Sequence, residues 1–396
     1  MLQFDIDRET QQMLEIIGWL GREHMRPLGL EADRQHRPIP PDHPFFELVW
    51  KLGIGRRVWG DDERAASGQR FTTRRNVLLA EEMSYWDRGV AVALPGPGLG
   101  GPPIALLGTP EQKKRFLGIF NDPDKPHWGA FAMTEPGAGS DVAAIRTRAR
   151  RQGDYWVLDG EKMFCSNGAR ADWVVVWATV DPALGREGHR AFVVERGTPG
   201  FRVDRIENKM GLIAYESAAL VFEECRVPGA NLLGGEESYR ERAGFKGAMQ
   251  SFNATRPVVA AMAIGIARAA YDHARDFVRA AYASSRPLPR YRRMLDKLAW
   301  IERKIACGRL LCWQAAYLAD VQQPNVAEAS MAKAYCPQVA QEATALAMEI
   351  VADTGATKDG LVEKWFRDVK AMDIVEGTGQ IQRRIIARHL TGLPEA

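Results

Sequence analysis

The hydrophobic pattern of this chain changes its period twice, and that order constrains the fold more than any single motif. Apolar residues recur at helical steps over residues 8–37, and a helical pattern returns near residue 240 and continues to the end. Between about residues 155 and 227 the pattern becomes short runs rich in Val, Phe and Trp, separated by Gly and Pro, which indicates strands. This grouping predicts an α+β fold with segregated helices and strands.

The middle segment contains one strong turn signal. Asp159-Gly160 separates Tyr-Trp-Val-Leu from Glu-Lys-Met-Phe, and this spacing predicts a β-hairpin, because glycine tolerates the positive φ of a type I′ turn. Further strands are predicted over residues 172–180, 190–195, 200–206 and 218–227. Ala-rich helices are predicted over residues 254–283, 294–320 and 326–352.

Composition excludes several classes of protein. A length of 396 residues predicts two or three domains, and the formal net charge of +3 disfavours nucleic acid as the main partner. The five cysteines form no C-x-x-C pair and the seven histidines are scattered, so we expect neither a disulfide scaffold nor a metal site. The N-terminus has no basic start followed by an apolar run, so we expect a cytoplasmic protein without membrane insertion.

Two glycine-containing stretches are candidates for ligand binding. Ala132–Asp141 reads AMTEPGAGSD, where Gly137 and Gly139 let the backbone approach a ligand closely; it is not the G-x-G-x-x-G pattern, and an ordinary loop is the alternative. Phe164–Gly168 reads FCSNG, which offers an aromatic plane and a hydroxyl to a flat heterocycle. The alternative is that Phe164 is an aromatic core residue beside a turn.

Two later stretches carry charge at the beginning of a predicted helix. Arg256 opens a long helix and favours an anionic group such as phosphate, although a solvent-facing side chain is the alternative. Glu376 follows Ile374 and Val375 and precedes Gly377. A carboxylate in such apolar surroundings is a candidate general base, or simply a favourable charge near a helix N-terminus.

Taken in order, TEPGAGSD, K-x-F-x-S-N-G, F-x-x-T-R-P and EGTxQIQR resemble the acyl-CoA dehydrogenase family along almost the whole chain. Residues 103–117, 362–370 and 383–390 extend the resemblance. It implies an N-terminal all-α domain (1–125), a middle β-barrel or sandwich domain (126–237) and a C-terminal four-helix-bundle domain (238–396), assembled as dimers or tetramers with FAD.

The resemblance also implies a set of site residues. Those expected to contact FAD are Met133, Thr134, Gly139, Ser140, Phe164, Ser166, Thr378 and Gln380, with Phe164 standing where the family usually has Trp and Ser166 where it usually has Thr. Those expected to contact the acyl-CoA are Ser140, Asn253, Arg256, Gly377 and Arg388, with Asn253 in a position where Asp is frequent.

The same resemblance implies the reaction. Glu376 would remove the α-proton of an acyl-CoA while the β-hydrogen leaves as hydride to flavin N5, giving a trans-2-enoyl-CoA and passing electrons to an electron-transfer flavoprotein. Alternatives within the fold are a flavin-dependent acyl thioester oxidase, a dehydrogenase of carrier-protein thioesters, and a non-catalytic subunit of a hetero-oligomer. The Gly- and Pro-rich residues 95–103 would leave room for a bulky acyl group, or merely punctuate a loop.

Two stretches depart from the family pattern. R-x-x-F-G and Q-x-x-G-G, which reach the FAD of a neighbouring subunit, are replaced by AAYASSRPLPRYRR (280–293) and by Glu-Ile-Val-Ala-Asp (349–353). Replacing close-approach glycines with Ala and an acid hinders binding of a pyrophosphate. One hypothesis is a hetero-oligomer in which another subunit completes the FAD site; the alternative is a homo-oligomer with altered FAD contacts.

Overall fold

The computed structural model describes residues 6–56, 72–240, 244–283, 291–352, 357 and 360–392, and within them the helices and strands follow the predicted order. The N-terminal helices are α1 (Arg8–Leu20), α2 (Arg26–Gln35), α3 (Pro44–Lys51), α4 (Thr72–Ala93), α5 (Gly101–Leu107) and α6 (Pro110–Gly118). Asp7 caps α1 by accepting a hydrogen bond from the Thr10 N–H at 2.8 Å. The segregated α+β fold is therefore confirmed.

The middle of the chain forms one curled sheet. Its strands are β1 (Gly129–Ala132), β2 (Arg148–Gln152), β3 (Tyr155–Ser166), β4 (Trp173–Thr179), β5 (His189–Glu195), β6 (Phe201–Ile206) and β7 (Ser217–Pro228). The strand order is β1-β4-β2-β3-β7-β6, and β5 pairs antiparallel with β4 along its whole length. β1 runs parallel to β4, whereas β3 is antiparallel to both β2 and β7.

β4 is buried on both faces and separates two hydrophobic cores. All seven of its residues are buried, and successive side chains of a strand point to opposite faces. Val174 and Val176 join the large core shared with the helices, whereas Trp173 and Trp177 join a second core with Phe116. Helices thus cover the sheet on both sides, and α5 and α6 lie on the side of the second core.

The predicted hairpin turn at Asp159-Gly160 is wrong. β3 runs continuously through both residues, and the turn lies earlier, at Gly153 and Asp154, between β2 and β3. Gly160 instead marks a β-bulge with a φ of 146°, where the register with β7 shifts. A Cβ at Gly160 would lie 2.7 Å from the Thr147 Cα, so the positive φ serves close packing rather than a chain reversal.

The C-terminal helices form a bundle. They are α7 (Gly235–Arg240), α8 (Gly244–Ala283), α9 (Tyr291–Asp320), α10 (Val326–Val351), α11 (Leu361–Asp368) and α12 (Gly379–Thr391). α8, α9 and α10 pack against one another through buried alanines, and α12 packs on α10. Of the described helices, none is both long enough and apolar enough to span a membrane.

The Gly- and Pro-rich residues 95–103 hold the N-terminal helices against the sheet. A Cβ at Gly100 would lie 2.4 Å from the Ala130 carbonyl oxygen and 2.5 Å from the Trp173 ring. A Cβ at Gly98 would lie 3.0 Å from the Gly129 carbonyl oxygen. These small residues therefore allow close contact with β1, which supports a packing role rather than space for a bulky acyl group.

A buried charge cluster joins all three parts of the chain. Lys364 Nζ of α11 lies 2.7 Å from Asp87 Oδ2 of α4 and 2.5 Å from Asp368 Oδ2. Asp368 Oδ1 accepts a hydrogen bond at 2.5 Å from the Leu212 N–H, which precedes β7. Asp87 itself interrupts α4 with extended backbone angles (φ −163°, ψ 115°). The cluster thereby fixes the direction of the residues that follow Asp87.

Candidate active site

The glycine-rich loop at residues 132–141 is anchored by a buried carboxylate. Glu135 accepts hydrogen bonds from the Arg146 N–H at 2.6 Å and the Thr147 N–H at 3.0 Å, and its Oε1 lies 2.6 Å from Lys162 Nζ. Burial raises the pKa of Glu135, but the charge and hydrogen bonds of Lys162 outweigh it, so the pKa is lowered overall. The loop is therefore held around an ionised side chain.

Several residues of this loop face outward. Gly139 and Ser140 are exposed, and a Cβ built at Gly137 or Gly139 would meet no heavy atom within 4 Å. Met133 is buried, and the Thr134 carbonyl accepts a hydrogen bond from the Met163 N–H at 2.9 Å. That bond places the predicted loop residues beside the end of β3.

Phe164 is an exposed aromatic side chain in a strained backbone conformation. It is 58% exposed and has a φ of 56°, which is unfavourable for a bulky residue. A bulge between Lys162 and Cys165 turns it out of the sheet. An exposed ring held in this way is a platform on which a flat heterocycle can stack.

Ser166 ends β3 and bonds to a residue that sequence reasoning missed. Its hydroxyl pairs with the phenol of Tyr215, and burial raises the pKa of that phenol while Arg88 and Ser166 lower it less strongly. Arg88 directly follows the interruption of α4 and also interacts electrostatically with Glu376. Arg88 thus interacts electrostatically both with Tyr215, beside the end of β3, and with the candidate base. No local sequence motif surrounds Arg88, so only its tertiary contacts identify it.

Glu376 lies where three cations and a hydroxyl converge. Thr255 Oγ1 of α8 donates a hydrogen bond to Glu376 Oε2 at 2.7 Å. Burial raises the pKa of Glu376, and it stays above its usual value although Thr255, Lys333, Arg88 and Arg256 each lower it. A carboxylate whose pKa is raised, on a half-buried residue, is suited to accept a proton.

The remaining predicted residues lie on α8, beside Glu376 or at the two ends of α12. Arg256 is buried beside Thr255, whereas the side chain of Asn253 lies outside the described residues. Thr378 caps α12, its hydroxyl accepting from the Ile381 N–H at 3.4 Å, and Gln380 is exposed in the first turn. Gly377 has a φ of 94°, and Arg388 lies in the last turn of α12.

Among the described residues, no group of His, Cys, Asp or Glu side chains is arranged to hold a metal ion. The site instead combines an outward-facing glycine-rich loop, an exposed aromatic ring and a carboxylate of raised pKa. Such a set can hold a flat ligand on an aromatic ring and offers a carboxylate that can accept a proton.

The comparisons with known proteins identify the family. Acyl-CoA dehydrogenase sequence profiles match at residues 7–120 (N-terminal domain), 130–225 (middle domain) and 242–391 (C-terminal domain). The chain therefore belongs to the acyl-CoA dehydrogenase family, whose members are FAD-dependent oxidoreductases. The family predicted from the motifs is confirmed.

Individual relatives match over nearly their whole length. The chain is 40% identical over 386 residues to the mitochondrial short-chain specific acyl-CoA dehydrogenase of Bos taurus, covering 96% of this chain and 90% of that one. Butyryl-CoA dehydrogenase of Megasphaera elsdenii superposes with a TM-score of 0.87 at 31% identity, covering 98% and 100% of the two chains. A chain in a structure of the electron transferring flavoprotein of Acidaminococcus fermentans superposes with a TM-score of 0.85 at 32% identity, covering 98% and 99%.

The residues present fit FAD. Phe164 offers an exposed ring, and the open space above Gly137 and Gly139 leaves the loop backbone accessible to a ligand. Where the family's second FAD motif stands, however, Ile350 and Val351 are each 1% exposed in the core of this chain, and Ala352 has a φ of 53°. Asp353 and residues 284–290 lie outside the described residues.

Removing the Phe164 ring should weaken flavin binding without unfolding the protein. We expect Phe164→Ala to raise the dissociation constant of FAD about fivefold, since ring stacking contributes about 1 kcal/mol. The thermal unfolding of the apoprotein should hardly change, because the ring is 58% exposed. Titration of apoprotein with FAD, followed by flavin fluorescence, measures the effect. Phe164→Trp is the control that keeps the stacking, and equal affinity of the Ala variant would contradict the platform role.

Proposed function

We propose that this chain catalyses the α,β-dehydrogenation of an acyl-CoA thioester to the trans-2-enoyl-CoA, with Glu376 as the base for the α-proton. The observation that carries the proposal is the environment of Glu376, whose pKa burial raises while Thr255, Lys333, Arg88 and Arg256 keep its ionised form accessible. A base of this kind can be ionised before the reaction and can keep the proton afterwards.

The chain's own groups would orient the thioester at the base. The backbone N–H of Glu376 has no acceptor among the described residues, so it can donate to the thioester carbonyl oxygen. Such a donor stabilises the negative charge that develops on that oxygen as the α-proton leaves. The Thr255 hydroxyl holds the carboxylate on one side at 2.7 Å. When bound, FAD supplies the acceptor for the β-hydride.

We assign the remaining predicted residues to the two ligands. The proposed FAD contacts are Met133, Thr134, Gly139, Ser140, Phe164, Ser166, Thr378 and Gln380, and the proposed acyl-CoA contacts are Ser140, Asn253, Arg256, Gly377 and Arg388. Exposure of Gly139, Ser140 and Gln380 supports their access to a ligand. The domain boundaries near residues 125 and 237 and the cytoplasmic location stay predictions.

We further propose a short acyl chain as substrate and an electron-transfer flavoprotein as electron acceptor. The support is similarity: one relative is a short-chain specific acyl-CoA dehydrogenase and another a butyryl-CoA dehydrogenase, while a third structure is that of an electron transferring flavoprotein. The packing of residues 95–103 against β1 is consistent with a small acyl group.

Anaerobic titration of the holoenzyme with acyl-CoAs tests the function. We expect the flavin absorbance to bleach on addition of butyryl-CoA, with smaller or slower bleaching by long-chain thioesters. An acyl-CoA without a β-hydrogen is the control and should leave the spectrum unreduced. Absence of bleaching with every acyl-CoA would contradict the proposal. Bleaching only by carrier-protein thioesters, or rapid oxygen consumption during turnover, would favour the two alternatives within this fold.

Two hypotheses describe the subunit composition of the oligomer. Ala352 and Asp353 stand where the family has close-approach glycines, which supports a hetero-oligomer in which another subunit completes the FAD site. A homo-oligomer with altered contacts is the alternative. The ratio of FAD to subunit in the chain purified alone decides between them, because full occupancy requires no second kind of subunit.

A further inference from the structure

The segment that carries Glu376 folds around the ammonium group of a buried lysine. Lys333 of α10 is 0% exposed, and its Nζ donates hydrogen bonds to the carbonyl oxygens of Met372 at 2.8 Å and Gly377 at 3.2 Å. These carbonyls stand at the two ends of the segment from residue 372 to residue 377. The Lys333 side chain therefore holds the backbone in place on both sides of Glu376.

A second buried side chain holds the same backbone from α12. Gln382 is 0% exposed, and its Nε2 donates to the Gly377 carbonyl at 3.2 Å and lies 3.5 Å from the Glu376 carbonyl oxygen. Glu376 and Gly377 are consecutive residues with positive φ, at 53° and 94°. A non-glycine residue keeps this conformation only where its surroundings impose it. Lys333 and Gln382 supply that constraint.

Among the described residues, no carboxylate forms a direct ion pair with Lys333. The other buried lysine of the site, Lys162, contacts Glu135 Oε1 at 2.6 Å, whereas the direct acceptors of Lys333 among the described residues are carbonyl oxygens. Burial lowers the pKa of Lys333 to about 8, and the more distant carboxylates of Glu376 and Asp373 oppose that effect. Burying a charge without a close counter-charge is unfavourable, so stability alone does not explain an ammonium here.

We propose that Lys333 is a positioning residue for proton abstraction: it fixes the backbone of Glu376, and with it the direction of the carboxylate, and its charge favours the ionised base. This inference rests on the proposed function of Glu376. It assigns Lys333 no contact with substrate or flavin. Gln382 shares the geometric part of the role but not the electrostatic part, which makes the two parts separable.

Lys333→Met tests both parts in the holoenzyme. Methionine has a similar length but donates no hydrogen bond and carries no charge. We expect flavin reduction by butyryl-CoA to slow about 100-fold, the loss typical of a misplaced catalytic group. FAD content and the affinity for a non-reactive thioether analogue of butyryl-CoA should stay at the wild-type level.

The pH dependence separates this role from a merely structural one. Lys333 lowers the pKa of Glu376, so its removal should move the acid limb of the flavin-reduction rate to higher pH. The ionisable groups that act on Lys333 itself are Glu376, Asp373, Arg256 and Cys336. Arg88 and Arg256 also lower the pKa of Glu376 and remain in the variant, so the shift of the acid limb measures the contribution of Lys333 alone.

Three further variants complete the test. Gln382→Met should slow flavin reduction without moving the acid limb, because it removes a neutral anchor. Lys333→Arg keeps the charge and should leave the acid limb in place; these two variants test the proposal if Lys333→Met does not fold. Lys370→Met, an exposed lysine near the same segment, should change neither quantity.

Some outcomes would overturn the proposal. They are flavin reduction at the wild-type rate in Lys333→Met, an unmoved acid limb, or a loss explained wholly by missing FAD or weaker binding of the analogue. Failure of the proposed function looks different, since Glu376→Gln would then still be reduced by the thioester. An inactive Glu376→Gln together with an unimpaired Lys333→Met refutes the positioning role alone.

Discussion

Glu376→Gln should retain a normal flavin spectrum and lose thioester-dependent bleaching almost completely. Glutamine keeps the size of the side chain but cannot accept the α-proton, and a missing general base costs about 10²–10⁴-fold in rate. We place this variant at the upper end of that range, because Thr255 holds the Glu376 carboxylate in position with a hydrogen bond of 2.7 Å. The rate of flavin reduction under anaerobic conditions, measured by stopped flow, gives the effect.

The pH profile of the wild-type protein provides an internal check on this variant. Because burial raises the pKa of Glu376, the rate should fall as the pH decreases through a value above the ordinary range of a glutamate. That limb should be absent from the residual rate of Glu376→Gln. Thr255→Val is a useful companion, since loss of its hydrogen bond to Oε2 should move the limb further upward. Undiminished bleaching in Glu376→Gln would refute the base assignment.

Lys364→Met should cause the largest loss of stability. Lys364 is 1% exposed between Asp87 and Asp368, and its removal leaves two buried carboxylates without their counter-charge. Breaking a buried ion pair by deleting one partner costs about 3–5 kcal/mol. The free energy of unfolding of the holoenzyme, from denaturant titration, measures the loss.

The sign of its pH dependence follows from the remaining acids. Burial and the charge of Asp87 raise the pKa of Asp368, and loss of Lys364 removes the charge that opposes them. The variant should therefore recover part of its stability as the pH falls and Asp368 binds a proton. Arg205→Met, which removes exposed ion pairs with Asp204 and Glu207, is the matched control and should change stability by less than about 1 kcal/mol. An equally small loss in Lys364→Met would contradict the role of the cluster.

The sequence predicted the order of elements better than their internal geometry. The strand predicted at residues 172–180 is observed as Trp173–Thr179, because an unbroken apolar run is typical of a strand buried on both faces. Asp159-Gly160 misled the hairpin prediction because a bulge and a turn use the same positive φ. The pairing of β3 with β2 and β7 distinguishes a bulge from a turn at Gly160. This pairing cannot be read from the residues next to Gly160 in the sequence.

The candidate site shows the same limit. Glu376, Phe164 and the glycine-rich loop could be selected from short motifs, since each has its neighbours within a few residues. Arg88 and Lys333 could not, because they act on Glu376 across long stretches of chain. A single lysine within the Ala-rich run at residues 326–352 was the available signal for Lys333, and composition alone does not say whether such a lysine is buried.

The charge cluster of Asp87, Lys364 and Asp368 has a consequence for how this protein can be divided. Its members come from the first and the last helical parts, and the cluster binds the backbone of the middle part at Leu212. Excising any one part would leave buried charge behind in the others. We therefore expect a chimaera with a relative to fold only when the exchanged part supplies the partners that the remaining charges of the cluster need. These few atoms limit the exchange as much as the domain boundaries do.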